Sequence, residues 1–195
     1  MKRIGRHCVC PGAALALAVA LWVYDAVSQT VLVPISLQAE LLSKVAAYDR
    51  SFPKRSGGRA LVLVLVRDGD AESQRVGEQI QAELAVLTQI GGLQHAEEFV
   101  HFSSAQALAE LCRKRAPAII YISLGLADQM EAMARALEGV SILSVAVSAS
   151  YVPKRAVLSF DAESGRPKLV VNLGQARRQD VAFQPELLAL ARVMP

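Results

Sequence analysis

"ALVLVLV", from Ala60 to Val66, is apolar at every position. A strand with one wet face alternates apolar and polar residues, and a surface helix returns to polar residues every turn. A run with neither period fits a strand covered on both faces, as at the centre of a parallel sheet. Asp68, Gly69 and Asp70 close the run, and Asp70 is placed to cap a helix whose Val76, Ile80, Leu84 and Leu87 recur at helical spacing. The unit is therefore a strand followed by a helix.

Outward from this unit the same rhythm continues. Upstream, "PISLQAELLSKVAAY" predicts a helix over Pro34 to Tyr48 with a stripe of Leu37, Leu41, Val45 and Tyr48, and "DRSFPKRSGG" reads as a turn and loop. Downstream, "EEFVHF" (Glu97 to Phe102) predicts a second strand and Ser104 a cap for a helix reaching Arg115. "PAIIYISL" is a further buried strand, "ADQMEAMARALEG" a helix ended by Gly139, and "VSILSVAV" another strand. Strands alternating with helices at this spacing define a parallel sheet.

After Val147 the rhythm changes. "RAVLSF" and "PKLVVNL" read as two strands joined by "DAESGR", in which Gly165 supplies a positive-φ residue for a hairpin loop. Pro185 suits the first turn of a last helix with Leu187, Leu188 and Ala191 facing inward. The expected fold class is α/β: a single domain with a mostly parallel sheet, helices on both faces, a C-terminal β-hairpin and a closing helix.

The first 28 of the 195 residues have a different character. Lys2, Arg3 and Arg6 precede the apolar run Ala13 to Tyr24, and Ala26, Val27 and Ser28 follow it. That is the layout of a secretory signal peptide, expected over residues 1–28 with the α/β domain over 29–195. The apolar run is short for a span of about 20 residues, although an uncleaved anchor remains an alternative. The expected location is the periplasm. Cleavage would remove Cys8 and Cys10 and leave Cys112 as the sole cysteine, so no intrachain disulfide is expected and the core must supply stability. Removing Lys2, Arg3, Arg6 and Asp25 takes the formal charge of +3 to about +1, which gives no case for nucleic acid.

Catalytic signatures fail one by one. There is no G-x-G-x-x-G, no phosphate-binding G-x-x-x-x-G-K and no H-E-x-x-H. Ser123 precedes a turn, but Tyr121 stands where a nucleophile elbow needs glycine, so Ser123 reads as a structural strand-end serine. His95 and His101, with Glu97 and Glu98 between them, read as solvated surface, since a metal needs three or four convergent ligands. Cys112 reads as a small packing residue. No cofactor, metal or catalytic residue is expected. A weaker expectation is a small anion at the strand ends near Arg67, Asp68, Asp70, Ser123 and Gly125, with Asp68 and Asp70 opposing it. The basic residues Arg166, Lys168, Arg177 and Arg178, with Lys154 and Arg155 on the strand opposite, are expected to share a face. That face is either an ordinary solvated edge or a docking surface for an acidic partner or anionic lipid head groups.

The ending "VLSF", the Gly165 turn, "GRPKLVVNL", "QARRQ" and "LLALARV" resembles the YfiR-like family of secreted bacterial proteins. "LQAELLSKVAAYDRSF", "ALVLVLV", "AIIYISLG" and "SILSVA" extend the resemblance from about Pro34 to Met194. Phe160, Asn172, Leu173, Ala176, Leu187, Leu188 and Ala191 carry it best, as structural positions together with Gly165; the Asn172 amide is expected to satisfy backbone groups at a turn or edge. The chain departs from the pattern in two places. Relatives usually have a glycine where Lys154 and Arg155 stand, and redox control by disulfides does not carry over to a chain with one cysteine after cleavage. What the resemblance implies is a non-enzymatic periplasmic regulator that restrains an inner-membrane diguanylate cyclase, and through it cyclic di-GMP and biofilm formation. A sensor kinase as the membrane partner and a homodimer are compatible with the same reading. The rival expectation is a periplasmic solute-binding half-domain that captures a small anion and reports it to a membrane sensor.

Overall fold

The computed structural model describes residues 33–195; the signal-peptide reading of residues 1–28 lies outside them. The apolar run Ala60 to Val66 lies in strand β1, Arg59–Arg67, and Val62 to Val66 are fully buried within it. The parity of the strand splits its side chains between two cores. Val62 and Val64 enter one cluster and Leu63 and Leu65 the other, the double coverage that the absence of alternation implies.

Among the described residues, seven strands form one sheet in the order β2-β1-β3-β4-β5-β6-β7. They are β2 (Gln94–Phe102), β3 (Ile119–Ile122), β4 (Leu143–Ala146), β5 (Leu158–Glu163), β6 (Arg166–Asn172) and β7 (Arg192–Met194) around β1. All neighbours run parallel except the β5–β6 hairpin. The helices are α1 (Ile35–Val45), α2 (Phe52–Ser56), α3 (Ala71–Ala85), α4 (Ala105–Arg115), α5 (Met130–Ala136), α6 (Leu173–Arg178) and α7 (Pro185–Leu190). Buried residues of α1, α3, α6 and α7 join the first core, and those of α4 and α5 the second. The sheet is thus covered on both faces.

The expected caps form. Asp70 Oδ1 accepts from Ser73 N at 3.0 Å and Ser104 Oγ from Ala107 N at 3.1 Å, each satisfying a free amide of a first helical turn.

Several boundaries differ from expectation. The buried stripe of α1 is Ile35, Ala39, Leu42 and Val45, with Gln38 beside it, while Tyr48 is 41% exposed. The segment read as a loop after Tyr48 contains α2, whose Phe52 is fully buried. The joining loop of the hairpin shrinks to Ser164 and Gly165, both at positive φ (52° and 74°), because a two-residue turn of that hand matches the twist of its strands. Between the hairpin and the closing helix lies the additional helix α6, and after α7 the chain adds β7 beside β6. Leu187 is buried, whereas Leu188 and Ala191 pack only partly against the core.

Candidate functional site

The hairpin separates the basic residues that the sequence suggested would share a face. Arg166 and Lys168 lie on one side of β6, directly opposite Glu163 and Asp161 of β5. Arg177 and Arg178 belong to α6, beyond the other end of β6, and six residues at about 3.3 Å each put Arg166 roughly 20 Å from Asn172. Lys154 and Arg155 are not on the opposing strand at all; they sit in a turn before β5. The Arg178 guanidinium pairs with Glu138 at 3.6 Å, while Asp161 takes Arg192 as its ion-pair partner rather than Lys168. Arg166 and Lys168 form no ion pair among the described residues. Lys154 and Arg177 are likewise exposed and form no ion pair among the described residues, but they lie away from the hairpin tip.

The structural motif residues hold this hairpin to the body. Phe160 and Ala176 are buried, Gly165 makes the turn, and Leu173 opens α6. Asn172 ends β6 and caps α6: its Oδ1 accepts from Gln175 N at 2.8 Å and its Nδ2 donates to Val152 O at 3.2 Å. Arg155 stands at φ 78°, a left-handed backbone that glycine adopts more readily than a residue with a side chain.

At the C-terminal ends of β1 and β3 the chain occupies its own sites. Asp70 itself caps α3, whose N-terminus would otherwise be the obvious anion seat. Ser123 Oγ donates to Ser73 O and Ser73 Oγ donates to Leu124 O, both at 2.7 Å, so Ser123 is a lock between strand end and helix. The Arg67 guanidinium reaches Asp128 at 2.7 Å, which holds the Asp128 carboxyl below its usual range and raises Arg67. A cleft of about 220 Å³ remains there, with Arg67, Asp68 and Gln129 in its wall. A larger cleft, about 500 Å³, opens beside the N-terminal ends of β3 and β4, with Lys54, Arg55, Arg113, Glu138, Ser141 and Asp180 around it.

Cys112 borders that cleft, yet it is 1% exposed and burial pushes its thiol up to about 12, which removes the thiolate needed for reaction. His95 departs from the surface reading. Its ring is 5% exposed, held between the Glu97 carboxylate and Leu87 O, while His101 is exposed beside Asp68 at 3.5 Å. No cluster of three or more His, Cys, Asp or Glu suited to a metal occurs among the described residues.

Sequence reasoning missed the buried polar joints. Asp49 pairs with the Arg55 guanidinium and accepts from Ser51 N and Ala182 N, both at 3.0 Å, tying the α1–α2 corner to the segment before α7. Gln38 donates to Val33 O and Val147 O and accepts from Tyr121 Oη at 2.8 Å. The signal available for Asp49 was local, since Asp followed two residues later by Ser is a common turn pattern.

The fold and these sites define an α/β domain whose strand ends are closed by its own side chains. Residues 35–192 match the family model described as DUF4154, YfiR/HmsC-like, and the chain belongs to this family, a regulatory rather than catalytic one whose members are periplasmic. No curated protein matches the chain. Among solved structures it is similar to a conserved domain protein from Vibrio cholerae (16% identity, TM-score 0.59, 83% of this chain and 60% of that one). It is also similar to an ABC domain in complex with L-Trp from Streptococcus pneumonia (12%, 0.56, 82% and 61%). A third is a ligand-free, open substrate-binding protein with adhesive properties from Clostridium difficile (11%, 0.55, 83% and 60%). At these identities the likeness is one of fold, and the chain spans about 60% of the length of those proteins. No described helix is long and apolar enough to cross a membrane.

Proposed function

We propose that this protein is an exported, non-enzymatic regulator that acts in the periplasm, binds the outward-facing part of an inner-membrane diguanylate cyclase and restrains it, so that release raises cyclic di-GMP and favours biofilm formation. The observation that carries the reading is membership of the YfiR/HmsC-like family across residues 35–192. The hairpin tip is the proposed contact, because Arg166 and Lys168 are exposed or half-buried and free of ion pairs among the described residues. A cation without an internal partner can gain a charge-assisted bond on docking without breaking one. Lys154, Arg155 and Arg177 could extend the contact only around the body of the domain. The test is capture from membranes with the wild-type chain and with Arg166→Glu/Lys168→Glu. A membrane-anchored cyclase held by the wild type and lost by the double variant supports the reading; equal recovery removes the hairpin from it, and recovery of a sensor kinase instead changes the partner.

One observation favours a second reading, the cleft of about 500 Å³ with Lys54 and Arg113 at its rim in a fold shared with binding proteins. A small anion held there would be reported to a membrane sensor. Unfolding with and without inorganic phosphate or small carboxylates tests it, since a ligand at 100 times its Kd adds about 2.7 kcal/mol.

A further inference from the structure

The two ends of the parallel strands differ in charge. Beside the starts of β3 and β4, the last turn of α2 brings Lys54 and Arg55, that of α4 Arg113, Lys114 and Arg115, and that of α6 Arg177 and Arg178. Hydrogen bonds hold these elements together: Arg113 Nη2 donates to Ala136 O at 3.5 Å, Gly139 N to Arg178 O at 3.0 Å and Arg55 Nη1 to Asp180 O at 3.2 Å. Arg55, Arg115 and Arg178 have acidic partners in Asp49, Glu98 and Glu138. Lys54, Arg113, Lys114 and Arg177 are exposed and form no ion pair among the described residues. The acid beside them, Asp180, accepts from Ser141 Oγ at 2.9 Å. Around the opposite ends of β1 and β3 acids prevail, with Asp68, Asp70, Glu72 and Asp128 against Arg67 and Arg75. Basic residues in a last helical turn complement the helix dipole, which explains their type but not how many stand unpaired on one side of the molecule. The cleft of about 500 Å³ opens in the middle of this basic face. Arg55 in its wall has a side chain only 2% exposed, and its Nε has no hydrogen-bond partner among the described residues.

We propose that this basic face docks on an anionic phospholipid surface, with the ends of α2, α4 and α6 against the head groups and one head-group phosphate in the cleft. β1, β3 and β4 are successive strands of the sheet, so at about 4.8 Å apart their starts span roughly 10 Å. Helices on both sides widen that end into a platform. Long cationic side chains on a platform suit mobile head groups, which need positive charge near the surface and no fixed spacing. Within the cleft, Lys54 and Arg113 at the rim and the unpartnered Arg55 Nε supply donors for a phosphate diester. The same surface repels the acidic end, so the domain stands upright on it. β5 runs parallel to β4 and β6 returns antiparallel to it, so Asn172 lies toward the basic end and Arg166 away from it. Six residues at about 3.3 Å each lift the hairpin tip roughly 20 Å clear of the lipid, level with the outward part of a membrane protein. The inference shares its cleft with the small-anion reading but places a lipid-borne phosphate there, and it stands whether or not a cyclase is the partner.

Flotation of the full-length chain with vesicles containing phosphatidylglycerol, compared with vesicles of phosphatidylcholine alone, tests it. Lys2, Arg3, Arg6 and the apolar run Ala13 to Tyr24 are common to all variants, so differences between variants report the face. Each basic residue near an anionic surface contributes about fivefold to binding, so Lys54→Gln/Arg113→Gln/Lys114→Gln should lose about 100-fold on the anionic vesicles. Binding to the neutral vesicles and the urea midpoint should stay unchanged, because all three side chains are exposed. Raising the salt concentration should bring the wild type toward the variant. Anionic binding that survives the three substitutions overturns the proposal, as does a wild type that prefers neither vesicle. Arg166→Gln/Lys168→Gln removes charge at the far end; an equal loss per residue there would assign binding to net charge instead of this face and overturn it as well. Inorganic phosphate at constant ionic strength separates the two anion sources. The wild type should remain on the vesicles, and displacement by phosphate would give the cleft to a free anion and overturn the lipid-borne one.

Discussion

At one edge of the sheet β2 lies along β1 for nine residues, while at the other β7 pairs with β6 over only three and is followed by Pro195. The exposed part of β6 beyond β7 carries Arg166, Pro167 and Lys168, a charge and proline pattern that discourages strand addition. Support differs as much as protection. The β2 side is held by an uninterrupted backbone ladder and by apolar residues of both cores. The β7 side is held by buried polar side chains: Asp49 on Arg55 and Ala182, Ser144 on Gln179 and Val157, Asn172 on Val152 and Gln175. A ladder distributes its stability over many small contributions, whereas a polar joint concentrates it in one residue, because a buried group left without its partner bears a full desolvation cost. Single substitutions should therefore hurt the hairpin side more.

The largest effect is expected at Asp49. Its carboxylate is buried, and Asp49→Ala leaves the Arg55 guanidinium, 2% exposed, without a counter-charge and frees two backbone amides. Breaking a buried pair from one side costs about 3–5 kcal/mol, to be read as a fall in the urea midpoint. A loss below about 1 kcal/mol would mean that the α1–α2 corner is not a joint of the fold. Next comes Asn172→Ala, which removes both the cap of α6 and the bond to Val152 O. About 1–3 kcal/mol should be lost, and hydrogen exchange should locate the loosening in α6 and β6 while β1 and β2 stay protected.

The same contrast explains what could be read in the amino-acid order. Ala60 to Val66 betrays a buried strand through its missing alternation, and Asp70 and Ser104 announce helix starts through local chemistry. These signals are contained within a few neighbouring residues. α2 is five residues long and lies between Asp49 and two glycines, so its proline resembles a turn rather than the first turn of a helix. β7 is too short to show a period, and its partner is set by where α7 ends. Burial of His95 depends on Leu87 O and Glu97 closing over its ring, and no spacing rule reports that. For the candidate site, the sequence displays the residue types but not their grouping. The turn before β5 and the length of β6 part the six basic residues, and both are tertiary facts.

A smaller effect of opposite sign is expected at Arg155. The left-handed backbone there, φ 78°, costs a residue with a Cβ about 1 kcal/mol relative to glycine, so Arg155→Gly should raise stability by up to that amount despite a more flexible unfolded chain. Differential scanning calorimetry should show a raised Tm. A lowered Tm would mean that the aliphatic stem of Arg155, which is half-buried, contributes more packing than its backbone costs.

The smallest effect on stability should come from the hairpin tip, and there the comparison of the two edges becomes sharpest. Arg166 and Lys168 are engaged in no ion pair among the described residues, and surface substitutions away from buried networks usually move stability by less than about 0.5 kcal/mol. Arg166→Ala/Lys168→Ala should thus unfold at the wild-type urea midpoint while losing capture of the membrane partner. A fall in the midpoint with capture retained would make the hairpin tip a support of the fold and place the partner contact elsewhere.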